Sequence, residues 1–311
     1  MARLDIAIAG ELNLDLILYG LPETLAPERE LLASDMMLTL GSSSAIVAHN
    51  LAALGSRVGF VSCIGEDQFG ETALGRLAAA RVDVSRVHRR PAPAKTGLTV
   101  VLQHNSWRNI LTYAGTAFDL RPEDLDLDYL SAAKHFHLSS FYLHRGLRDY
   151  LRDLFAYLKS KGLTTSLDPN DDPDDRWDSI DAVLPYVDVF LPNEREGMRI
   201  AGTDDFETAL ARLCERVPLL VVKLGSKGAM ARRRAERVTS PALKVDVVDP
   251  VGAGDSFDAG FLHQWVRGSD LQRCLATGNL AGALSTTRAG GTEAFRDCAH
   301  RDKFFREAAS A

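Results

Sequence analysis

The chain has 311 residues, 46% hydrophobic and 25% charged, enough to bury the core of one large α/β domain or two modest ones. A formal net charge of −6 presents no basic face, so neither nucleic acid nor an anionic membrane surface is an expected partner. Four dispersed cysteines (Cys63, Cys214, Cys274, Cys298) without a Cys-x-x-Cys spacing exclude a disulfide framework or a zinc knuckle. No apolar stretch is long enough to span a bilayer, and the first residues pass directly into a strand-like run, so a cytoplasmic location is expected.

In chain order, residues 5–10 read as a buried strand, followed almost at once by a second strand over 15–19. The intervening Gly10-Glu11-Leu12-Asn13-Leu14-Asp15 alternates Asn13 and Asp15 onto one face. An amide beside a carboxylate can accept from and donate to a sugar diol, and it can equally form an ordinary turn with a capping Asp. Gly41-Ser42-Ser43-Ser44 opens a helix over 45–54 that stops at Gly55, and its small residues allow a ligand to approach the helix N-terminus. Residues 57–63 read as a strand and 67–80 as a helix, and two alternating runs at 96–103 and 108–113 read as a hairpin.

Beyond residue 120, strands at 135–138, 164–167, 187–191 and 219–223 alternate with helices, the pattern of a parallel sheet with helical crossovers. His135 and His137 lack a third ligand nearby and are expected as half-buried strand histidines. Asp168 and Asn170, at a strand tip, are expected to face a crevice, while the rest of that acidic loop is solvated. Asn193-Glu194-Arg195-Glu196 is either a helix first turn favoured by the dipole or a site where Glu196 holds Mg²⁺ through water. Lys223 ends a strand before the Gly225-Ser226-Lys227-Gly228 turn, so a phosphate contact or a plain hairpin would fit. Arg232-Arg233-Arg234 reads as a solvated hairpin tip.

The most informative stretch is Asp249-Pro250-Val251-Gly252-Ala253-Gly254-Asp255, read as a turn between a strand-like run at 243–248 and a helix beginning near Phe257. Such a turn is an anion site, because its small residues expose backbone N–H groups at a helix N-terminus. A carboxylate at Asp255 would repel a bound phosphate, and a general base beside a transferring phosphoryl group would make use of that charge. The bland alternative is an N-capping Asp. No Gly-x-x-x-x-Gly-Lys-Ser/Thr loop and no opening Gly-x-Gly-x-x-Gly is present.

Taken in order, residues 10–15, 41–55, 64–70, 114–115, 193–196, 223–228 and 251–257 resemble the ribokinase (PfkB) family of carbohydrate kinases, over residues 5 to 295. The resemblance implies an α/β fold in one domain across 1–311: a doubly wound, mostly parallel sheet with a small β-sheet lid inserted at about 11–20, 34–40 and 95–114. It implies ATP- and Mg²⁺-dependent phosphorylation of a hydroxyl. Asp255 would be the catalytic base, with Gly252, Ala253 and Gly254 as the anion hole. Asn193, Glu196, Lys223, Gly225, Gly228 and Asn279 would serve the nucleotide and its Mg²⁺. Asn13, Asp15, Gly41, Ser42 and Asn170 would hold the sugar, and Asp249 with the Val251 carbonyl would form part of a K⁺ site. A homodimer through the lid is expected, because its strands would otherwise leave edges exposed.

Two departures bear on the acceptor. Ser42 stands where the family commonly has Gly, and Ile46 where members often carry an Asn that contacts the sugar. Asp172 stands near the position of an Arg in the keto-deoxygluconate kinases, which points to a neutral sugar rather than a sugar acid. A nucleoside acceptor, with Trp107 or Tyr113 as aromatic platform, and a non-catalytic sugar- or nucleotide-binding regulator are the alternatives.

Overall fold

The computed structural model describes residues 3–104 and 107–309; Asn105 and Ser106, in the expected hairpin turn, lie outside the described residues. The first run forms β1 (Ile6–Ala9), β2 (Asn13–Tyr19) and β3 (Asp35–Leu40), followed by α1 (Ser43–Ala53). β4 (Val58–Gly65), α2 (Gln68–Ala79) and β5 (Asp83–Arg90) come next, then β6 (Gly97–Gln103), β7 (Arg108–Tyr113) and the short α3 (Leu127–Ser131). The alternating part comprises β8 (His135–Leu138), α4 (Arg148–Ser160), β9 (Thr164–Leu167), β10 (Val189–Phe190), α5 (Glu194–Ala201), α6 (Phe206–Cys214) and β11 (Leu219–Lys223). A hairpin of β12 (Ala229–Arg233) and β13 (Glu236–Ser240) precedes α7 (Ala253–Trp265), α8 (Leu271–Thr286), α9 (Glu293–Arg296) and α10 (Cys298–Ala309).

The large sheet has the order β13-β12-β11-β10-β9-β8-β1-β4-β5, and only the β12–β13 hairpin breaks its parallel pairing. Two-residue alternation sends its side chains to two cores. Ala7, Ala9, Leu220 and Val222 pack with α3 to α6 on one face. Ile6, Ile8, Leu219 and Val221 pack with α1, α2, α7 and α8 on the other. A second sheet, β3-β2-β6-β7, stands apart. In it β2 pairs parallel with β6, and the remaining two pairings are antiparallel.

Three expectations change. Residues 243–248 form no strand; Val247 and Val248 are well exposed, and the segment is tied down by Val248 N–H and Asp249 N–H donating to the Thr286 carbonyl (2.7 and 3.2 Å). Its alternation arose without a neighbouring strand to receive it. β5 went unread because Asp83-Val84-Ser85-Arg86-Val87-His88-Arg89-Arg90 is too polar for a core strand; as an edge strand beside β4 it keeps its charges in water. His135 and His137 are fully rather than half buried. A chain through Thr164, Ser166 and Ser139 satisfies their ring nitrogens, and burial drives both pKa values down to about 3.

Candidate active site

α7 begins at Gly252, whose φ of +73° suits only glycine without strain, and whose missing Cβ would stand 2.6 Å from the Gly291 Cα. The first helical hydrogen bond runs from Ser256 N–H to the Gly252 carbonyl (2.9 Å). The N–H groups of Gly254 and Asp255 therefore lie ahead of the intrahelical ladder, at the positive end of the dipole. Asp255 is the third helical residue, and its side chain does not cap the helix. It is buried, and burial, followed by the charge of Asp168, raises its pKa to about 6. A buried carboxyl titrating there is poised to accept a proton near neutrality.

α1 brings its own N-terminus to the same place. The Ser43 side chain pulls the Asp255 pKa down against its burial, and Ile46 lies with Cδ1 3.3 Å from where a Gly252 Cβ would be. Ile46 also packs on Gly291, so the apolar side chain at this departure supports the two glycine backbones.

The second sheet supplies the other wall. Its register sets Asp15 opposite Thr39 and Thr99, and Thr99 opposite Thr112, so these polar side chains share a face. Asn13 Nδ2 donates to Thr99 Oγ1 (3.1 Å), and Thr99 and Thr112 hydroxyls are 3.2 Å apart. Gly41 lies against this pair: a Cβ there would be 2.1 Å from Asp15 Oδ1 and 2.9 Å from Asn13 Oδ1. Burial, and then the charge of Asp255, raises Asp15 to about 7, so each of the two carboxyls lies within reach of the other's charge. Ser42 holds φ at +65°, which an L-residue rarely adopts, and its hydroxyl donates to Asn13 Oδ1.

Lys223 reaches the backbone at the start of α7, with Nζ 3.7 Å from a hypothetical Gly254 Cβ. Its ammonium is already held by Asp168 (2.7 Å) and Asp258 (3.2 Å). Burial works against its charge, but these two carboxyls, with Glu196, keep its pKa raised. Asp168 is thus committed to an ion pair rather than facing an open crevice. Asp258, one helical turn after Asp255, escaped sequence reading; the signal was its i,i+3 spacing. Asn170 is committed too: Oδ1 accepts Ser140 N–H (2.8 Å) and Nδ2 donates to Ser43 Oγ (3.1 Å).

Asn193 and Glu196 form a reciprocal capping box. Asn193 N–H donates to Oε2 (2.8 Å), its Nδ2 to Oε1 (2.5 Å), and Glu196 N–H returns to Asn193 Oδ1 (2.9 Å). Burial, then the charge of Asp168, raises Glu196 to about 7. Both carboxyl oxygens being engaged, the pair suits a cation bound through water better than direct ligation. Among the described residues no three His, Cys, Asp or Glu side chains converge as a metal cage. That donor set fits Mg²⁺, which takes most of its ligands from phosphates and water.

Gly225 and Gly228 adopt φ of +58° and +98°; Gly228 is pressed on the Ser240 carbonyl, whereas the space beside Gly225 is open. Asn279 uses its amide to hold the loop after β13, donating to the Ser240 and Pro241 carbonyls (2.9 and 3.0 Å). Asp249 staples two loops by accepting Val251 N–H (2.9 Å) and Gly290 N–H (3.0 Å), so a K⁺ ion would share its carboxylate with two amides. Asp172 turns inward to accept the N–H groups of Asp174, Arg176 and Trp177 (3.0, 2.8 and 2.8 Å). It caps its own loop, so the expectation that it would repel a sugar acid loses its basis.

The chain belongs to the pfkB family of carbohydrate kinases, whose model matches residues 3–298, and is a sugar kinase. It is 31% identical over 269 residues to a fructokinase from Klebsiella pneumoniae (82% of this chain, 88% of the relative). It is 30% identical over 288 residues to an ATP-dependent ribose-1-phosphate kinase from Halopiger xanaduensis (92% and 93%). Its fold is ribokinase-like: a putative ribokinase II from E. coli, solved in complex with ATP and Mg²⁺, superposes with a TM-score of 0.86 at 25% identity, covering 97% of this chain and 99% of that one.

Proposed function

We propose that the protein transfers the γ-phosphoryl group of ATP to a hydroxyl of a small neutral sugar, with Asp255 as general base. The observation that carries this reading is the buried Asp255 carboxyl at the N-terminal turn of α7, near enough to Asp15 for its charge to raise that carboxyl's pKa. Asn13 and Asp15 would hold the acceptor hydroxyls, with Gly41 leaving room for them. The N–H groups around Gly252, Ala253 and Gly254 would stabilise charge on the transferring phosphoryl oxygens. The nucleotide would lie towards Gly225, which has open space beside it. Mg²⁺, placed near Asn193 and Glu196, would neutralise phosphate charge. Lys223, held by Asp168 and Asp258, would keep the acidic cluster around Asp255 from rejecting that phosphate.

A neutral acceptor is favoured by the charge of the site: Asp15 and Asp255 are both acidic, and the cation beside Asp255, Lys223, is already paired. A purine platform finds no support. Tyr113 lies opposite Leu98, on the face away from Asp15, and Trp107 stacks on His104 at 3.8 Å. Asp255→Asn is expected to lower kcat by about 10²–10⁴-fold while ATP still binds. Near-normal turnover in that variant would sink the assignment. ADP release across a panel of sugars, sugar acids and nucleosides identifies the acceptor, and no release with any of them would favour a binding protein.

A homodimer through the second sheet extends this reading. β7 is exposed along its length, with Ile110, Leu111 and Tyr113 each more than half exposed. The domain reading stays as proposed, with the second sheet acting as a lid inserted into one kinase domain.

A further inference from the structure

Behind Asp255 lies a buried polar chain that substrate recognition does not require. Glu11, in the link between β1 and β2, is 4% exposed. Its Oε1 accepts the Ser140 hydroxyl (2.8 Å) and Ser44 N–H (3.2 Å), and Oε2 accepts the Ser44 hydroxyl (2.7 Å). Ser140 N–H donates to Asn170 Oδ1 (2.8 Å), Asn170 Nδ2 donates to Ser43 Oγ (3.1 Å), and the Ser43 side chain favours the ionised form of Asp255. Three loops at the ends of the parallel strands and two helix N-termini thus meet in one chain of contacts.

The chain has a direction. A carboxylate only accepts, so Glu11 takes the Ser140 hydroxyl proton for itself. Asn170 Oδ1 is then left with the Ser140 N–H, which turns Nδ2 towards Ser43. Because Ser43 Oγ receives that donor, its own proton is left free to turn to the Asp255 carboxylate, in keeping with the lowering of the Asp255 pKa by Ser43. Ser140 and Asn170 hold φ at +56° and +51°, so neither can relax easily into another arrangement.

We propose that Glu11 is a positioning residue for phosphoryl transfer, orienting the Asp255 carboxyl through Ser140, Asn170 and Ser43. The inference rests on the reading of Asp255 as the base. A glutamine at position 11 would replace one acceptor end by an NH₂ group facing donors, so Ser140 or Ser44 would lose its acceptor and the direction of the chain would be lost. The other charged groups around Asp255 are Asp15 from β2, Asp168 beyond β9, Lys223 from β11 and Asp258 on α7, and of these only Asp168 touches the chain, by accepting the Asn170 N–H (3.2 Å).

The test compares Glu11→Gln, Ser43→Ala and the double variant in the full-length enzyme, with melting temperature as the check on folding. Each single change is expected to lower kcat by about 10-fold, with KM for ATP within about twofold. The double variant is expected to be no slower than the worse single one, because both cut the same chain. Unchanged kcat in folded Glu11→Gln, or losses that multiply in the double variant, would overturn the inference. Should Glu11→Gln not fold, Ser140→Ala carries the same expectation. Asp255→Asn runs beside them: if it stays active the base reading fails, and if it is inactive while Glu11→Gln is unaffected only the positioning role fails.

Discussion

Ser42 shows how a single residue can be legible as a departure and illegible as a structure. Its identity stood out because glycine is usual there; its conformation, φ +65° and ψ 126°, required the fold. Backbone strain of this kind costs about 1–3 kcal/mol, and the bond to Asn13 returns about 1 kcal/mol. Ser42→Gly is therefore expected to stabilise the protein by about 1 kcal/mol, read as a higher urea midpoint at unchanged m-value. It should also alter KM for the sugar more than KM for ATP, since it frees an acceptor position on Asn13. Asp255 was recognisable from its turn, but its elevated acidity range was not. That comes from burial and from Asp168, which is 87 positions away in the chain. The role of Glu11 is not legible in its motif, because the donors that surround it come from Ser44 and Ser140.

At the scale of elements, α7 and α8 cross closely because Gly260 and Gly278 have no side chains. A Cβ on Gly260 would be 2.5 Å from the Thr277 carbonyl oxygen, and one on Gly278 would meet the Phe257 ring at 2.7 Å. Gly260→Ala is expected to cost about 1–3 kcal/mol by overpacking against backbone, visible as a lowered urea midpoint. Because α7 carries Asp255, kcat should fall as well; an unchanged midpoint would refute the packing account. Helices and core strands were legible from periodicity, which depends only on which residues are apolar. Residues 243–248 and β5 misled in opposite ways. An alternating run needs a partner strand to become one, and a polar run becomes a strand when an edge is available.

For the whole molecule, three buried carboxyls give a pH signature. Burial raises Asp15, Glu196 and Asp255 to about 7, 7 and 6 from ordinary values of 3.8, 4.5 and 3.8. The folded state thus binds their protons more tightly than the unfolded chain, and that contribution is complete below the unfolded pKa values and lost as pH rises through the folded ones. The ligand-free enzyme is expected to lose melting temperature between pH ~5 and pH ~7.5, while activity rises over the same range as Asp255 ionises. A melting temperature that climbs across that window would contradict the burial of these groups. The exposed apolar residues of β7 and β3 lead to the second expectation at this scale, a dimer mass by light scattering that falls to the monomer in Leu111→Glu.

Local order along the chain was enough to announce an α/β fold, since apolar period and glycine turns are properties of neighbours in sequence, and the ordered motifs at the strand ends carried the resemblance to carbohydrate kinases. It announced Asp255 for the same reason. What tertiary structure alone decided is how the charges are shared. Asp168 and Asp258 hold Lys223, Asp172 folds into its own loop, Asn279 ties down a strand end, and Glu11 reaches Asp255 through three intermediaries. Each of these rests on proximity between residues far apart in the chain, and on burial that strengthens their interactions.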